Sequence, residues 1–361
     1  MRQTVLLSLL TAAISTVAFA CSNSGDSSPP ATPASDAPDD NQQEQDLTDG
    51  VTRLASKLQD PNYLTTQGDN VYFATTYGFA TQEEAEYHHD IWVKGKTGAA
   101  KRLYKNIYGA SWAMIATKNG IYEINEGTAS VERRPLDGSK ADGESLVHAI
   151  YGQEEVPEVG VVKLAADDDG FVVAERTGDQ PTDAGPIVAY SPTGKNETKL
   201  GSVPGGATAL TVAGANVYVG TAGGDVLSAA RSGSGSLKKI ASGQGAVGSI
   251  VVSGTDVFFG TDKGLFVLRK SATAATKLLA EGAGDLVVVR DLLLYGQRDK
   301  GISSVPLAGG ATKVVLKTKT PSDAIYTGGA LYVTDASLGA CKQTEDGQAC
   351  TWEGSVLRVK Y

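Results

Sequence analysis

The stretch NVYVGTAGGDV (216–226) decides the fold, because the chain repeats it as DVFFGTDKGLF (256–266). The apolar core of this phrase recurs at intervals of about 35 to 50 residues, a spacing that indicates a repeat architecture. The recurrences begin at Val71, Ile121, Phe171, Val217, Val257, Leu293 and Leu331. We therefore expect a fold built from seven similar units.

Most units contain four short apolar stretches separated by polar or Gly turns. In one unit they read LTVAGAN (210–216), VYVG (217–220), DVLSA (225–229) and LKKIA (237–241). Four strands joined by tight turns form an antiparallel meander. Repeats of this length with four strands are typical of β-propeller blades, with an open solenoid or a large sandwich as the alternatives.

The two ends of the repeat region distinguish a closed ring from an open array. The seventh unit stops at Tyr361 after its third strand, whereas VTRLAS (51–56) precedes the first unit and resembles a stray fourth strand. Pairing of VTRLAS with GSVLRVKY (354–361) would close the ring and remove two open sheet edges. We predict an all-β, seven-bladed propeller of four-stranded antiparallel blades over 51–361, closed by an N-terminal strand in the last blade.

The first fifty residues indicate export. Residues 1–20 contain Arg2, an apolar run and then small residues, as a signal peptide does. Cys21 follows directly, and VAFAC (17–21) is similar to the box at which bacterial lipoproteins are cleaved and acylated. Ordinary signal-peptidase cleavage is the alternative. Residues 21–50 are rich in Ser, Pro and Asp and contain no Lys, Arg or aromatic residue, which predicts a disordered acidic tether.

These features predict a protein that is lipid-anchored to the cell envelope through Cys21. In a diderm host, Ser22 rather than Asp after that cysteine favours the outer membrane. Cys341 and Cys350 are predicted to form a disulfide, because disulfides persist outside the cytoplasm; two free thiols are the alternative. The formal net charge of −9 disfavours nucleic acid as a partner, since an acidic surface repels phosphates.

Two repeats resemble known propeller sequences. LYVTD (331–335) resembles the repeat named for Tyr-Val-Thr-Asn, and GISSVPLAGGATKVVL (301–316) resembles a repeat common in exported bacterial propellers. The chain thus resembles exported bacterial seven-bladed β-propeller lipoproteins with YVTN-type or WD40-like repeats. The resemblance implies the fold and leaves the function open, because such families include scaffold, binding and enzymatic members.

Loop lengths predict where a binding site lies. In a propeller, the loops between second and third strands and the links between blades share one face, here called the loop face. Blades 7, 1, 2 and 3 carry the longer loops of this face, and long ordered loops often carry function. Their aromatic residues predict binding of a protein, peptide or glycan, unless the rings only fill the loops' own cores. These residues are Tyr77, Phe79, Tyr87, Tyr108, Trp112, Tyr151 and Trp352.

A metal site is a second hypothesis for the same face. EEAEYHHD (83–90) holds two of the three histidines, and His88 or His89 could bind a divalent metal with Glu86 and Asp90. Adjacent residues of a strand point to opposite sides, which opposes a site that uses both rings. No other cofactor is indicated.

Three functions follow from these patterns. A non-enzymatic binding or scaffold propeller is the leading one, because no set of catalytic residues is recognisable. A metal-assisted hydrolase or lyase and an envelope-assembly factor are the alternatives. The propeller lipoprotein of the outer-membrane barrel machinery, which the last alternative resembles, usually has eight blades.

Overall fold

The computed structural model describes residues 41–42, 45–48, 50–80, 85–125, 130–140, 142–148, 159–177, 183–233, 235–270, 272–344 and 347–361. Its side chains are described in the same ranges except at 41–48, 78–80, 85–86, 148, 159–160, 177 and 338–352.

Three strands precede the first complete blade: β1 (Asn41–Gln42), β2 (Gln45–Thr48) and β3 (Val51–Leu58). Blade 1 contains β4 (Pro61–Gln67), β5 (Asn70–Ala80), β6 (Ala85–Lys94) and β7 (Ala100–Tyr108). Blade 2 contains β8 (Ser111–Thr117), β9 (Gly120–Asn125), β10 (Ser130–Arg134) and β11 (Glu144–His148). Blade 3 contains β12 (Val159–Asp167), β13 (Gly170–Thr177), β14 (Gly185–Tyr190) and β15 (Thr198–Val203).

Blades 4 to 6 follow the same order. Blade 4 contains β16 (Ala207–Ala213), β17 (Asn216–Thr221), β18 (Val226–Ala230) and β19 (Lys238–Ala241). Blade 5 contains β20 (Val247–Ser253), β21 (Asp256–Thr261), β22 (Gly264–Leu268) and β23 (Thr276–Leu279). Blade 6 contains β24 (Leu286–Val289), β25 (Leu292–Gln297), β26 (Gly301–Pro306) and β27 (Lys313–Leu316).

Blade 7 takes its strands from both ends of the propeller region. Its first three are β28 (Pro321–Thr327), β29 (Ala330–Asp335) and β32 (Gly354–Lys360). A separate hairpin of β30 (Leu338–Thr344) and β31 (Gly347–Trp352) lies in the loop before β32. The fourth strand is β3, which pairs antiparallel with β32 so that Val51 faces Val359. The predicted seven-bladed propeller and its closure are therefore confirmed.

The core of the ring lies between blades. Within the described residues, the buried apolar side chains form seven clusters, and each cluster joins two neighbouring blades. One of them seals the closure, where Leu54 of β3 packs with Phe73 and Trp92 of blade 1. Because alternate residues of a strand point to opposite sides, each second strand contributes buried or partly buried residues to two of these clusters. This explains why the second strands have near-continuous apolar sequences.

The first strand of each blade lies innermost. These strands form a closed circle of contacts, from β4 to β8 and onward until β28 returns to β4, so they surround a central channel. Hydroxyl groups join them across blade boundaries. Thr208 Oγ1 lies 2.5 Å from the carbonyl oxygen of Val247, and Ser322 Oγ lies 2.7 Å from that of Pro61.

Strand pairing begins earlier in the chain than predicted. Residues up to 50 were expected to be a coil, but β2 pairs with β3 and β1 pairs with β7. These short strands cover the outer edges of blades 7 and 1. An outer edge offers unpaired backbone groups that a polar segment can satisfy without adding to the core, so apolar content alone does not reveal it.

Membrane-spanning helices are not found in the part of the chain that the structure describes, where no helix has both the length and the apolar character to cross a bilayer.

Candidate functional site

Three rings form a row across blade 1 near the loop face. Tyr77 of β5 faces His88 of β6, and His88 faces Tyr108 of β7. The Tyr77 and His88 ring centroids are 6.0 Å apart and stacked, while His88 and Tyr108 meet edge to face at 5.8 Å. Tyr108 is 57% exposed. The register of one blade thus turns three separate sequence positions into one aromatic surface.

Trp112 lies at the same loop face on the neighbouring blade 2, whereas the row lies on the side of blade 1 that faces blade 7. Trp112 occupies the register irregularity between Ser111 and Ala113 of β8, and a β-bulge re-aims the side chain that it carries. As a result Trp112 is 40% exposed. Three residues separate it from Tyr108, which limits their Cα separation to at most about 14 Å. We call Tyr77, His88, Tyr108 and Trp112 the blade 1–2 surface.

Asp90 holds the row from beneath. Its Oδ1 accepts the hydroxyl hydrogen of Tyr77 at 3.0 Å and the backbone N–H of Asn106 at 2.7 Å. Its Oδ2 lies 3.2 Å from Nε of Arg102, whose guanidinium stands 4.8 Å from the centre of the Trp92 ring. Burial and then the charge of Asp90 raise the pKa of Tyr77. The phenol therefore stays a neutral hydrogen-bond donor that fixes its ring.

His89 points to the other side of β6 and is fully buried. Its Nδ1 lies 2.7 Å from the carbonyl oxygen of Gly109, and its Nε2 lies 2.8 Å from Oε2 of Glu123. A backbone carbonyl and a carboxylate both accept hydrogen bonds, so both ring nitrogens must carry a proton. His89 is therefore an imidazolium inside the interface of blades 1 and 2.

The charge of His89 belongs to a buried network of four side chains. Glu123 Oε1 accepts from Nε of Arg134 at 2.5 Å, and Arg134 also contacts Oε2 of Glu132 at 2.5 Å. The four formal charges sum to zero. Burial opposes the charge on His89, but the hydrogen bond and attraction of Glu123 outweigh it and raise the pKa of the ring. Burial likewise opposes ionisation of Glu123, but His89 and Arg134 lower its pKa.

The side chains that the structure describes do not assemble the predicted metal site. Both nitrogens of His89 and both oxygens of Asp90 are occupied by the internal contacts above, and His88 lies on the opposite side of the strand from His89. No group of three potential metal ligands is found among the side chains that the structure describes. The alternation of side chains along β6 is the physical reason. The fourth predicted ligand, Glu86, has its side chain outside the described set.

Tyr87 is the next predicted residue. It is half-buried, and its carbonyl oxygen accepts the backbone N–H of Gly109 at 2.7 Å, which joins β6 to the residue after β7 beneath the three rings. Phe79 lies in β5 and Trp352 in β31, with side chains outside the described set. Tyr151 and Cys21 lie outside the described residues altogether.

The cysteine pair lies in the β30–β31 hairpin. Cys341 and Cys350 are directly opposite each other in the backbone register. Directly opposed residues of antiparallel strands have Cα atoms about 4.5 to 5.5 Å apart, which lies within the range that a disulfide spans. The disulfide stays a prediction, since the side chains there are outside the described set.

The buried network was missed at the sequence level although the sequence contains a signal for it. Glu123 is the third residue of the repeated key in blade 2. The same slot holds Phe73, Val173, Val219, Phe259, Tyr295 and Val333 in the other blades. A carboxylate in a slot that is otherwise apolar predicts a buried charge with a partner, because an unpaired buried charge is very costly. The partners come from other strands, and only the register identifies them.

Comparison with known proteins identifies the fold but no family and no function. No family model matches the chain. No curated protein matches it either. Similar solved structures include a chain of the Mitotic Checkpoint Complex, with 13% identity, a TM-score of 0.56 and coverage of 94% of this chain and 100% of that one. The AfRom2 CNH domain has 10% identity and a TM-score of 0.54, with 86% and 99% covered. The computationally designed Ika8 protein has 12% identity and a TM-score of 0.52, with 84% and 98% covered.

Proposed function

We propose that the protein is a binding scaffold that holds a partner protein against the blade 1–2 surface. The observation that carries the proposal is the exposure of Tyr108 and Trp112 on neighbouring blades of one face. The third large exposed hydrophobic residue of the described chain, Val314, lies away from them in the outer strand of blade 6. Tyr and Trp are enriched among the residues that dominate protein interfaces.

The support beneath this surface favours binding. Rings that are already fixed lose little conformational freedom when a partner binds, so more of the contact energy is kept as affinity. Tyr77 is fixed by Asp90, and the chain between Tyr108 and Trp112 is fixed at Gly109, whose carbonyl oxygen accepts from His89. A ring of the same fold occurs in the Mitotic Checkpoint Complex, so such a ring can be part of a protein assembly.

Site-specific photocrosslinking tests the proposal. A photoreactive phenylalanine derivative at position 108 or 112 should crosslink one protein in native envelopes, whereas the same group at position 314 should not. The crosslinked partner is then purified, and its affinity for this protein is measured. Tyr108→Ala and Trp112→Ala should each weaken that affinity by at least about tenfold, the effect of losing an interface anchor. Val314→Ala is the matched control. Equal crosslinking at 314, or unchanged affinity in both variants, would contradict the proposal.

We also propose that the scaffold is exported and anchored to the cell envelope by acylation of Cys21. The supporting features are the signal-like segment 1–20, the lipobox-like VAFAC and the acidic segment after it. Cys21→Ala should move the protein from the membrane fraction to the soluble fraction, and Ser22→Ala should not. A Cys21→Ala protein that still sediments with membranes would refute the anchor without affecting the binding proposal.

A further inference from the structure

An open pocket of about 580 Å³ lies on the loop face beside the central channel, between blades 6 and 7. Its wall includes the link that precedes β24, the loop between β25 and β26, and the start of β28. The charged residues of this wall are Glu281, Asp285, Arg298, Lys300 and Asp323. The pocket is thus separate from the blade 1–2 surface and contains both acidic and basic groups.

Two carboxylates form the channel side of the pocket. Asp323 is held by backbone groups: Oδ2 accepts from the N–H of Leu64 at 2.6 Å and Oδ1 from the N–H of Ala324 at 2.7 Å. Within the described chain, the Asp285 carboxylate has no hydrogen bond from another side chain, and its residue is accessible to water. Asp285 is therefore available to a ligand, whereas Asp323 is fixed in place beside it.

One lysine compensates these carboxylates only in part. Lys163 of blade 3 interacts electrostatically with Asp285 of blade 6, and because these blades are not neighbours the interaction crosses the channel. Desolvation by the protein around the channel raises the pKa of Asp285 despite Lys163, although the residue itself is accessible to water. Desolvation, followed by the charge of Asp285, raises the pKa of Asp323. Desolvation lowers the pKa of Lys163, whose residue is also accessible to water. These directions mean that the ionised carboxylates are disfavoured in the pocket as it stands, and a cation bound beside them would favour ionisation.

The rest of the wall contains both acidic and basic groups. Lys300 Nζ lies 2.5 Å from Oε2 of Glu281, and Nε2 of Gln297 donates to the same oxygen at 3.1 Å. Glu281 is therefore paired with Lys300 and Gln297. Arg298 is exposed, and no ion pair involves its guanidinium in the part of the chain that the structure describes. A guanidinium is well suited to bind a carboxylate through two parallel hydrogen bonds.

We propose that this pocket binds a small zwitterion, with its ammonium group at Asp285 and Asp323 and its carboxylate group at Arg298. The ammonium supplies a positive charge beside the two carboxyl groups, and the carboxylate pairs with the Arg298 guanidinium. The chemical class is that of amino acids and short ω-amino acids. The site would give the scaffold a small-molecule ligand that is distinct from any partner at blades 1 and 2.

Calorimetric titration of the purified protein with zwitterions of increasing length tests the site. The probes are glycine, β-alanine, γ-aminobutyrate and ε-aminocaproate, with pentylamine and hexanoate as the two half-ligands. We expect one length to bind most tightly, because the ligand must reach from Asp285 to Arg298 within one pocket. The best zwitterion should bind at least about tenfold more tightly than either half-ligand, since it makes both charged contacts.

Two variants test which residue binds each charged end of the ligand. Asp285→Asn should weaken the best zwitterion and pentylamine by about tenfold or more. Arg298→Ala should weaken the zwitterion by a similar factor and leave pentylamine unchanged. Asp291→Asn is the matched control, because Asp291 lies in the same blade but in the turn between β24 and β25 at the opposite face. This variant should leave the affinities for the zwitterion and for pentylamine unchanged.

Three results would overturn the proposal. The first is that no zwitterion binds at millimolar concentration. The second is binding that Asp285→Asn leaves unchanged in a variant with wild-type urea unfolding. The third is that calcium ions bind through Asp285 while amines do not, which would make the pocket a cation site.

Discussion

Glu123 is the residue on which the charged interior of blades 1 and 2 depends. Its two oxygens contact His89 and Arg134, so its carboxylate separates two positive charges in an interface that excludes water. Replacing a buried ion pair with apolar residues can be neutral, but removing one partner leaves an uncompensated charge. The network is therefore sensitive to single neutralising substitutions.

Glu123→Gln should lower the free energy of unfolding by about 3 to 5 kcal/mol, because it leaves His89 and Arg134 without their shared counter-ion. Urea denaturation measures the loss. The matched control is Glu144→Gln, which breaks an ion pair with Arg133 at the surface of the same blade. That change should cost at most about 1 kcal/mol. Equal losses in the two variants would show that the buried network has no special role.

The raised pKa of His89 predicts a pH dependence of stability. The stabilisation from the bound proton is complete below the pKa of the unfolded chain, near 6.5, and is lost as the pH rises through the higher folded value. Stability of the wild type should therefore fall across that window, by at most about 1.4 kcal/mol per pH unit for this one group. His89→Gln removes the group, so its urea midpoints should decline less over the same window. Parallel profiles would refute the assignment of an imidazolium.

The β3 strand decides whether the ring is closed. It supplies the fourth strand of blade 7, and its buried Leu54 and Leu58 pack against Phe73 and Trp92 of blade 1. These contacts connect residues from the beginning of the propeller to its last sheet. A cavity in this cluster weakens two blades together.

Leu54→Ala should destabilise the protein by about 2 to 5 kcal/mol, the usual cost of truncating a fully buried leucine. Guanidinium unfolding followed by tryptophan fluorescence gives the value, since Trp92 lies in the same cluster. Val314→Ala, in the exposed outer strand of blade 6, should change the unfolding free energy by no more than about 0.5 kcal/mol. If Leu54→Ala lowered the unfolding free energy no more than Val314→Ala does, β3 would not be the strand that stabilises the closed ring.

The β30–β31 hairpin should contain a disulfide between Cys341 and Cys350, because the register places them opposite each other. Alkylation of the unfolded protein without reductant should leave both cysteines unmodified, and alkylation after reduction should modify both, as read by mass spectrometry of the peptides. In the chain-entropy model, closing this short loop contributes roughly 2 to 3 kcal/mol. Labelling of both thiols without reductant would establish that they are free.

The strands of this protein were predictable because their periodic apolar sequences depend on local geometry. The seven second strands start where the repeated phrase predicts them, and VTRLAS (51–56) pairs where the missing fourth strand required it. The short polar strands β1 and β2 have no such pattern. They form because the outer edges of blades 7 and 1 lie beside them, and that proximity exists only in the closed ring.

Only part of the candidate site was predictable from the sequence, because the rest depends on contacts between blades of the closed ring. Tyr77, Tyr108 and Trp112 were predicted from loop lengths and aromatic residues, and the register of blade 1 brings Tyr77 and Tyr108 into one row with His88. The commitment of His89 and Asp90 to internal contacts depends on which side of β6 each residue faces and what the next blade presents. The pocket at Asp285 and Asp323 depends on the approach of inner strands far apart in sequence, so no local motif marks it.

Closure by β3 also sets the order in which the molecule can be completed. Six blades take their four strands from one continuous stretch of chain, so each can assemble as soon as that stretch has been synthesised. Blade 7 forms later, because Val51 pairs with Val359 and β32 is synthesised after the strands of the other six blades. Since non-local pairings form slowly, docking of β3 against β32 should be the final and rate-limiting event of folding. A nascent chain that stops before β32 keeps β3 without its partner, and quality control would meet an open ring with an exposed edge.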